Sequence, residues 1–143
     1  MDNKQKIHSL SESEEISFVI PVAPVTKKNS QRIIVNSKNG KRQIIPSAPY
    51  KKYENEAMLF VPKLHISSPV NVKAVFYMKS RRKTDLVNLI EALHDVLVIS
   101  GCVEDDNCTI IASTDGSRVK YDKNNPRTEV TITKLKENVF PEN

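Results

Sequence analysis

The sequence has only two cysteines and three histidines, and it has no long apolar run. Cys102 and Cys108 lack a Cys-x-x-Cys spacing, which argues against a zinc site and favours free thiols in a reducing compartment. His8, His65 and His94 are scattered and show no metal-ligand spacing. No apolar run approaches the roughly 20 residues that span a bilayer, and no apolar signal region opens the chain. We therefore expect a cytoplasmic protein without a membrane partner.

The length of 143 residues fits one domain with a single moderate core, and no repeat of about 20 to 50 residues is visible. We expect a polar, flexible tail over residues 1–14, a folded domain over residues 15–136 and a short tail over residues 137–143. The formal net charge is +5 and the isoelectric point is about 9.2. This balance favours a polyanionic partner without saying which one.

Residues 81–107 carry most of the functional information. Their middle predicts an amphipathic helix, because the apolar residues recur at the 3.6-residue period of one helix face. Thr84 or Asp85 can serve as the N-cap, and Gly101 is a plausible end. The apolar stripe consists of Leu86, Leu89, Ile90, Leu93, Val96 and Leu97. The opposite side carries Asn88, Glu91 and Asp95, with Asp85 at the helix entrance.

Charge is divided between two stretches of the chain. Residues 84–115 contain seven carboxylates and no Lys or Arg, whereas residues 27–83 contain fourteen Lys and Arg against two Glu. Such segregation fits carboxylates that hold Mg²⁺ beside cations that hold phosphates, and it favours a metal-dependent nuclease. The simpler alternative makes Glu91 and Asp95 a solvated helix face and Asp105 with Asp106 an ordinary turn.

The other segments predict an α+β domain. Asn39-Gly40 predicts a hairpin with a two-residue type I′ turn, which would place Ile34 opposite Ile45 and Val35 opposite Ile44. Residues 47–61 predict a second helix that ends before Pro62. Strands are expected at residues 16–20, 31–35, 41–45, 70–78, 108–113, 118–121 and 128–134.

Candidate phosphate contacts fall in three places along the chain. The simpler alternative for each segment is a solvated loop or helix surface that contacts no phosphate. The candidates are Lys27, Lys28 and Asn29 after the first strand, Lys51 in the second helix, and Arg81, Arg82 and Lys83 just before Asp85.

An ordered set of short motifs resembles the RusA-type Holliday junction resolvases over residues 18–135. Each motif is weak alone, but the order is fairly specific. The matches are a Pro-rich strand and Asn-containing loop (residues 21–30), a Ser-x-x-Tyr-Lys helix start (47–51), a basic run before Asp-Leu-x-Asn (81–88), Asp105-Asp106, and a closing Arg-Thr-Glu-Val strand (127–130).

The resemblance implies a mixed β-sheet with two helices packed on it, a homodimer, and Mg²⁺-dependent paired nicking of four-way junctions in DNA recombination and repair, with Mn²⁺ as a possible substitute. It also suggests a prophage setting. Asp85, Asp105 and Asp106 would hold the metal and act in catalysis. The family's second aspartate is replaced by Val87, and a lysine found in many members is replaced by Glu91. We expect Glu91, one helical turn after Val87, to take over part of the missing carboxylate's work.

Two other functions stay open at this point. Val87 favours a homologue with impaired metal binding that binds branched or single-stranded DNA without cutting it. A third possibility is an unrelated basic RNA-binding or interaction domain, which would leave the combination of Asp85 with Asp105 and Asp106 unexplained.

Overall fold

The protein is built from a five-stranded mixed β-sheet, two helices that share its hydrophobic core, and a separate two-stranded sheet. The structure is a computed structural model that describes residues 15–27 and 31–142; the expected tail over residues 1–14 lies outside the described residues. In chain order the elements are β1 (Glu15–Ile20), β2 (Gln31–Val35), β3 (Arg42–Pro46), α1 (Ala48–Met58), β4 (Val70–Met78), α2 (Leu86–Ile99), β5 (Ile111–Ser113), β6 (Arg118–Tyr121) and β7 (Arg127–Lys134).

The strands of the main sheet lie in the order β1, β7, β4, β5, and β6 also pairs with β4. β7 is antiparallel to both β1 and β4, whereas β5 and β6 are parallel to β4. A parallel pair needs a crossover connection, and α2 supplies it between β4 and β5. The crossover carries the chain from the carboxyl end of β4 back toward its amino end.

The core lies between the sheet and the two helices. β4 alternates as expected and buries Val70, Val72, Ala74 and Phe76. The stripe predicted for α2 is confirmed, with Leu89, Leu93, Val96 and Leu97 buried and Leu86 and Ile90 packed against the same cluster. Each fully buried leucine contributes roughly 1.5–3 kcal/mol of transfer free energy. The expected α+β domain with two helices on a mixed sheet is confirmed.

Three predictions about local structure need correction: the hairpin turn, the end of helix α1, and the start of β5, which begins at Ile111 and not at residue 108. The hairpin pairs Val35 with Arg42, so its loop is longer than two residues and the predicted partners are shifted by two. Gly40 has φ +68°, but Asn39 is not among the described residues with positive φ, so a type I′ turn does not form. The Asn39 side chain instead accepts the Lys41 N–H at 2.9 Å, and Asn36 accepts the Lys38 N–H at 2.9 Å.

Helix α1 begins as predicted and ends early. Ser47 is the N-cap and its hydroxyl accepts the Tyr50 N–H at 3.4 Å. The helix ends at Met58, so Phe60 lies beyond it and is 46 % exposed instead of facing the core. Cys102 and Cys108 are free thiols, as expected. Among the described helices, none has the length and apolar character needed to cross a membrane.

Candidate functional site

The first candidate ligand, Asp85, is the N-cap residue of α2. Its carboxylate makes no capping hydrogen bond to the helix backbone and instead accepts the Asn88 side-chain N–H at 3.3 Å. Asp85 is exposed, so this carboxylate faces solvent at the positive end of the helix dipole.

After α2 the chain turns and runs back along the helix. Gly101 adopts φ +83°, where a side chain would be strained and would also contact the His65 ring. Cys102 and Val103 then both donate their N–H groups to the carbonyl of Leu97, at 2.9 and 3.2 Å. This return brings the following acids beside α2 instead of leaving them at its far end.

The acid turn, residues 104–107, reaches the middle of α2. Asp106 is close enough to His94 for its charge to favour the protonated imidazole, although burial has the larger effect and lowers the pKa of His94. His94 lies nine residues after Asp85, about 14 Å along a helix axis at 1.5 Å per residue. Asp85 and the acid turn therefore meet α2 at different levels.

Glu91 lies between those two levels. At about 100° per residue, Val87, Glu91 and His94 share one side of α2. Glu91 is exposed, Val87 is 72 % exposed and His94 is half-buried. Val87 stands where the RusA-type resolvases, which the sequence resembles, have a second aspartate.

The two aspartates of the acid turn have different surroundings. One carboxylate oxygen of Asp105 accepts the Asp106 backbone N–H at 2.7 Å, and the other accepts the Asn107 side-chain N–H at 2.9 Å. These hydrogen bonds, the Asp106 backbone N–H first, lower the pKa of Asp105. Both carboxylates are exposed, and Asp105 also shapes the turn through these hydrogen bonds.

A polar network joins α2 to the loop after β1 and to α1. Asp95 accepts the Lys27 ammonium at 3.4 Å and the Tyr50 hydroxyl at 3.4 Å. Burial, followed by the charge of Asp95, raises the pKa of Tyr50, so the phenol stays protonated and donates this bond. The alternative interpretation of Asp95 as part of a solvated helix face does not hold, since its side chain is only 28 % exposed and makes these contacts.

The donor set fits Mg²⁺ in chemistry but does not form a closed metal site. In residues 15–27 and 31–142, no three Asp, Glu, His or Cys side chains are grouped so that they could hold a metal ion. Mg²⁺ often takes only one or two protein carboxylates and completes its shell with water and substrate phosphates. Asp85, Glu91 and Asp106 are exposed carboxylates, the type of ligand that Mg²⁺ takes.

The predicted phosphate contacts differ in how far they are already engaged. Lys27 pairs with Asp95, and Lys51 pairs with Glu54 at 3.5 Å. Arg82 and Lys83 are exposed and take part in none of the ion pairs formed between described residues. Lys28 and Asn29 lie outside the described residues.

Sequence reasoning missed three features near this surface. His94 has a buried Nε2 atom with no hydrogen-bond partner among the described residues, and no ligand spacing marked it. Tyr121 lies under the guanidinium of Arg81, with Cζ 4.7 Å from the ring centroid. Arg127 covers the ring of Tyr77 at 3.7 Å. The available signal was Tyr121 set among the cations Arg118, Lys120 and Lys123.

Comparison with known proteins identifies a family. A search of the curated proteins finds no significant match to this chain. The family model described as endodeoxyribonuclease RusA matches residues 21–133, a span that includes α1, α2, the acid turn and most of the sheet. This chain therefore belongs to the RusA endodeoxyribonuclease family, whose members are Holliday junction resolving nucleases that generally depend on a divalent metal.

Proposed function

We propose that this protein is a catalytically competent, Mg²⁺-dependent endonuclease that resolves four-way DNA junctions by paired nicks in DNA recombination and repair. The observation that supports it most directly is the return of the chain after α2. This return sets Asp106 beside the same helix that carries Asp85 and Glu91. Mn²⁺ would serve in place of Mg²⁺.

In this proposal Asp106 and Asp85 bind metal at different levels of α2, with water and DNA phosphates completing the coordination. Glu91, which lies between the two levels, supplies the carboxylate that Val87 lacks. The bound ion supplies an acidified attacking water and neutralises charge at the phosphorus and the leaving oxygen. Asp105 fixes the turn that carries Asp106 through its two hydrogen bonds. His94 is neutral at pH 7 because burial lowers its pKa, so it leaves the charge of Asp106 available to a cation.

The protein's own cations position the DNA. Arg82 and Lys83 lie three and two residues before Asp85, on the connection between β4 and α2. A phosphate bound there lies within a few residues' reach of the carboxylates, since an extended chain spans about 3.3–3.6 Å per residue. The DNA backbone and the carboxylates are both negatively charged, so the DNA approaches the carboxylates only when a metal ion lies between them. Cutting therefore depends on the metal.

We further propose that the active form is a homodimer. A four-way junction needs two nicks related by a two-fold axis, and one chain offers one set of carboxylates. Sedimentation at micromolar concentration should show a dimer; a fully active monomer would contradict this part of the proposal.

The decisive experiment compares cutting of a synthetic four-way junction, a matched duplex and a single strand, with Mg²⁺, with Mn²⁺ and with chelator. We expect junction cutting only with metal. Asp115→Asn is the control variant for loss of a carboxylate from the proposed site. Asp115 is an exposed acid of the acidic stretch 84–115, but it lies in a different loop, so this variant should cut like wild type. Equal cutting of all three DNAs, or cutting in chelator, would refute the proposal.

A second candidate function has its own observation. The 72 % exposed Val87 and the lack of a closed ligand group among the described residues favour a protein that binds branched or single-stranded DNA without cutting it. Tight junction binding with no cutting in either metal would support this candidate. Gain of cutting by Val87→Asp would then identify the missing carboxylate as the cause.

A further inference from the structure

The edge of the sheet beside the proposed site carries an arrangement that the proposed chemistry does not use. β6 lies at that edge and pairs with β4 in the register Val75↔Arg118 to Met78↔Tyr121. All four residues of β6 are exposed. The Asp122 N–H also donates to the carbonyl of Met78 at 2.9 Å, so β6 stays paired to the very end of β4.

Cations dominate this edge. We define the basic edge as residues 79–83 together with residues 118–123. It contains four cations in the first segment and three in the second, against one acid, Asp122. Asp122 is already paired with Arg127 at 3.0 Å. The surface is therefore short of negative charge, which fits a nucleic-acid strand better than a protein strand added to the sheet edge.

Aromatic rings lie among these cations. Tyr121 is 44 % exposed and Arg81 lies over its ring, with Cζ 4.7 Å from the centroid. Lys120 lies 5.8 Å from the ring centroid of Tyr77. An exposed ring bordered by cations is the arrangement by which proteins hold unpaired nucleotides, with the base stacked on the ring and the phosphate on the cation.

The position of Tyr121 relates it to the carboxylates. Tyr121 pairs with Met78, and the chain from Met78 leads through Arg81 to Asp85. Arg81 and Asp85 are four residues apart, so their Cα atoms lie within about 14 Å even if that stretch is extended. A base stacked on Tyr121 would therefore belong to a nucleotide close to the cut.

We propose that Tyr121 and Arg81 form a stacking site for an unpaired nucleotide of branched DNA. The base stacks on Tyr121, and the Arg81 guanidinium contacts the adjoining phosphate. This inference rests on the proposed function in that the DNA is branched, but it concerns binding and needs no cutting. An ordinary structural role for the pair, in which Arg81 only packs on Tyr121, predicts no preference for unpaired DNA.

The test measures binding in chelator to three fluorescent DNAs: a four-way junction, a matched duplex and a twelve-nucleotide thymidine strand. Tyr121→Leu keeps an apolar side chain but removes the ring, and it should weaken binding to the single strand about 5- to 150-fold, the loss of one stacked base. Tyr121→Phe keeps the ring and should bind like wild type. Duplex binding should be unchanged in both variants.

Val119→Ala provides the matched control, because Val119 is 40 % exposed two residues earlier on the same strand. Equal single-strand affinity of the Tyr121→Leu and Tyr121→Phe proteins would overturn the inference. An equal loss of affinity for duplex and single strand in Tyr121→Leu would also overturn it. So would binding of a peptide strand at this edge with the affinity for all three DNAs unchanged by Tyr121→Leu. Failure of the wild type to cut junctions would refute the proposed function alone, since this measurement is made without metal.

Discussion

The acid turn and the basic edge are both strongly charged, yet they are stabilised in opposite ways. In the acid turn, the Asp105 carboxylate is bonded by an N–H and an amide, neutral donors that fix its position without cancelling its charge. In the basic edge, Arg81 rests on an aromatic ring. Arg82 and Lys83 enter none of the ion pairs formed between described residues.

The difference indicates what each region is prepared to bind. Negative charge that is ordered by neutral donors keeps its attraction for a cation. Positive charge without a counterion keeps its attraction for phosphates and releases condensed cations from DNA on binding. Asp95 shows the contrast within α2 itself, since its pairing with Lys27 removes it from either role.

The largest expected effect separates the two aspartates of the acid turn. Mutation of a residue that hydrogen-bonds a metal ligand commonly lowers metal affinity or activity by about 10- to 100-fold. Loss of a direct ligand in Asp106→Asn should therefore lower the rate of cutting by at least about 100-fold. Asp105→Asn, which removes charge from the turn but keeps an acceptor, should cost about tenfold. Junction binding in chelator should be retained or tighter in both, because repulsion of the phosphates falls. Equal losses in the two variants would assign both carboxylates to the metal.

Glu91 tests whether the acid region extends along α2. If Glu91 replaces the carboxylate missing at Val87, Glu91→Gln should lower cutting at limiting Mg²⁺ by about 10- to 100-fold, and Val87→Asp in that background should restore part of it. Cutting is measured as a function of Mg²⁺ concentration. A Glu91→Gln protein that cuts like wild type at limiting Mg²⁺ would leave Glu91 as a solvated helix residue.

Salt dependence compares the free cations with the paired one. Arg82→Ala and Lys83→Ala should each reduce the slope of log affinity against log salt by roughly 0.9 on duplex DNA, since each removes one phosphate contact. Lys27→Ala should change the slope much less, because Lys27 is engaged by Asp95. A full decrease for Lys27→Ala would mean that the ion pair opens when DNA binds.

The smallest effect concerns His94 and pH. Because burial lowers its pKa in the folded state, the unfolded chain takes up a proton below about pH 6.5 that the folded chain does not. The free energy of unfolding should therefore fall as the pH drops from about 6.5 through the lowered pKa. Denaturant unfolding of His94→Gln should show a flatter dependence over this window. An equal slope of unfolding free energy against pH in wild type and His94→Gln would contradict this role of His94.

The hairpin shows why local turn signals were insufficient. Asn39-Gly40 correctly marks a turn, but only Gly40 of the pair has a positive φ, and the Asn36 and Asn39 side chains accept backbone N–H groups within the turn. The extent of α1 was misjudged for a related reason. The apolar pattern continues to Phe60 and Val61, whereas the backbone stops being helical at Met58.

The sequence by itself determined the helices, most strands and the family motifs. The periodicity of α2, the Ser47 cap and the alternation of β4 are local properties, and the order of motifs is a property of the chain. It also segregated the charges, which was enough to suggest a metal and a polyanion.

Only the tertiary structure decided how those charges are divided. The decisive contacts join segments that are far apart in sequence. They are Asp106 beside His94, Lys27 paired with Asp95, and Arg81 over the ring of Tyr121. These contacts arise because Gly101 turns the chain back along α2 and because β6 pairs with the end of β4. Neither the direction of a return nor the register of a strand is contained in a local pattern, since both follow from how buried surfaces of the whole chain fit together.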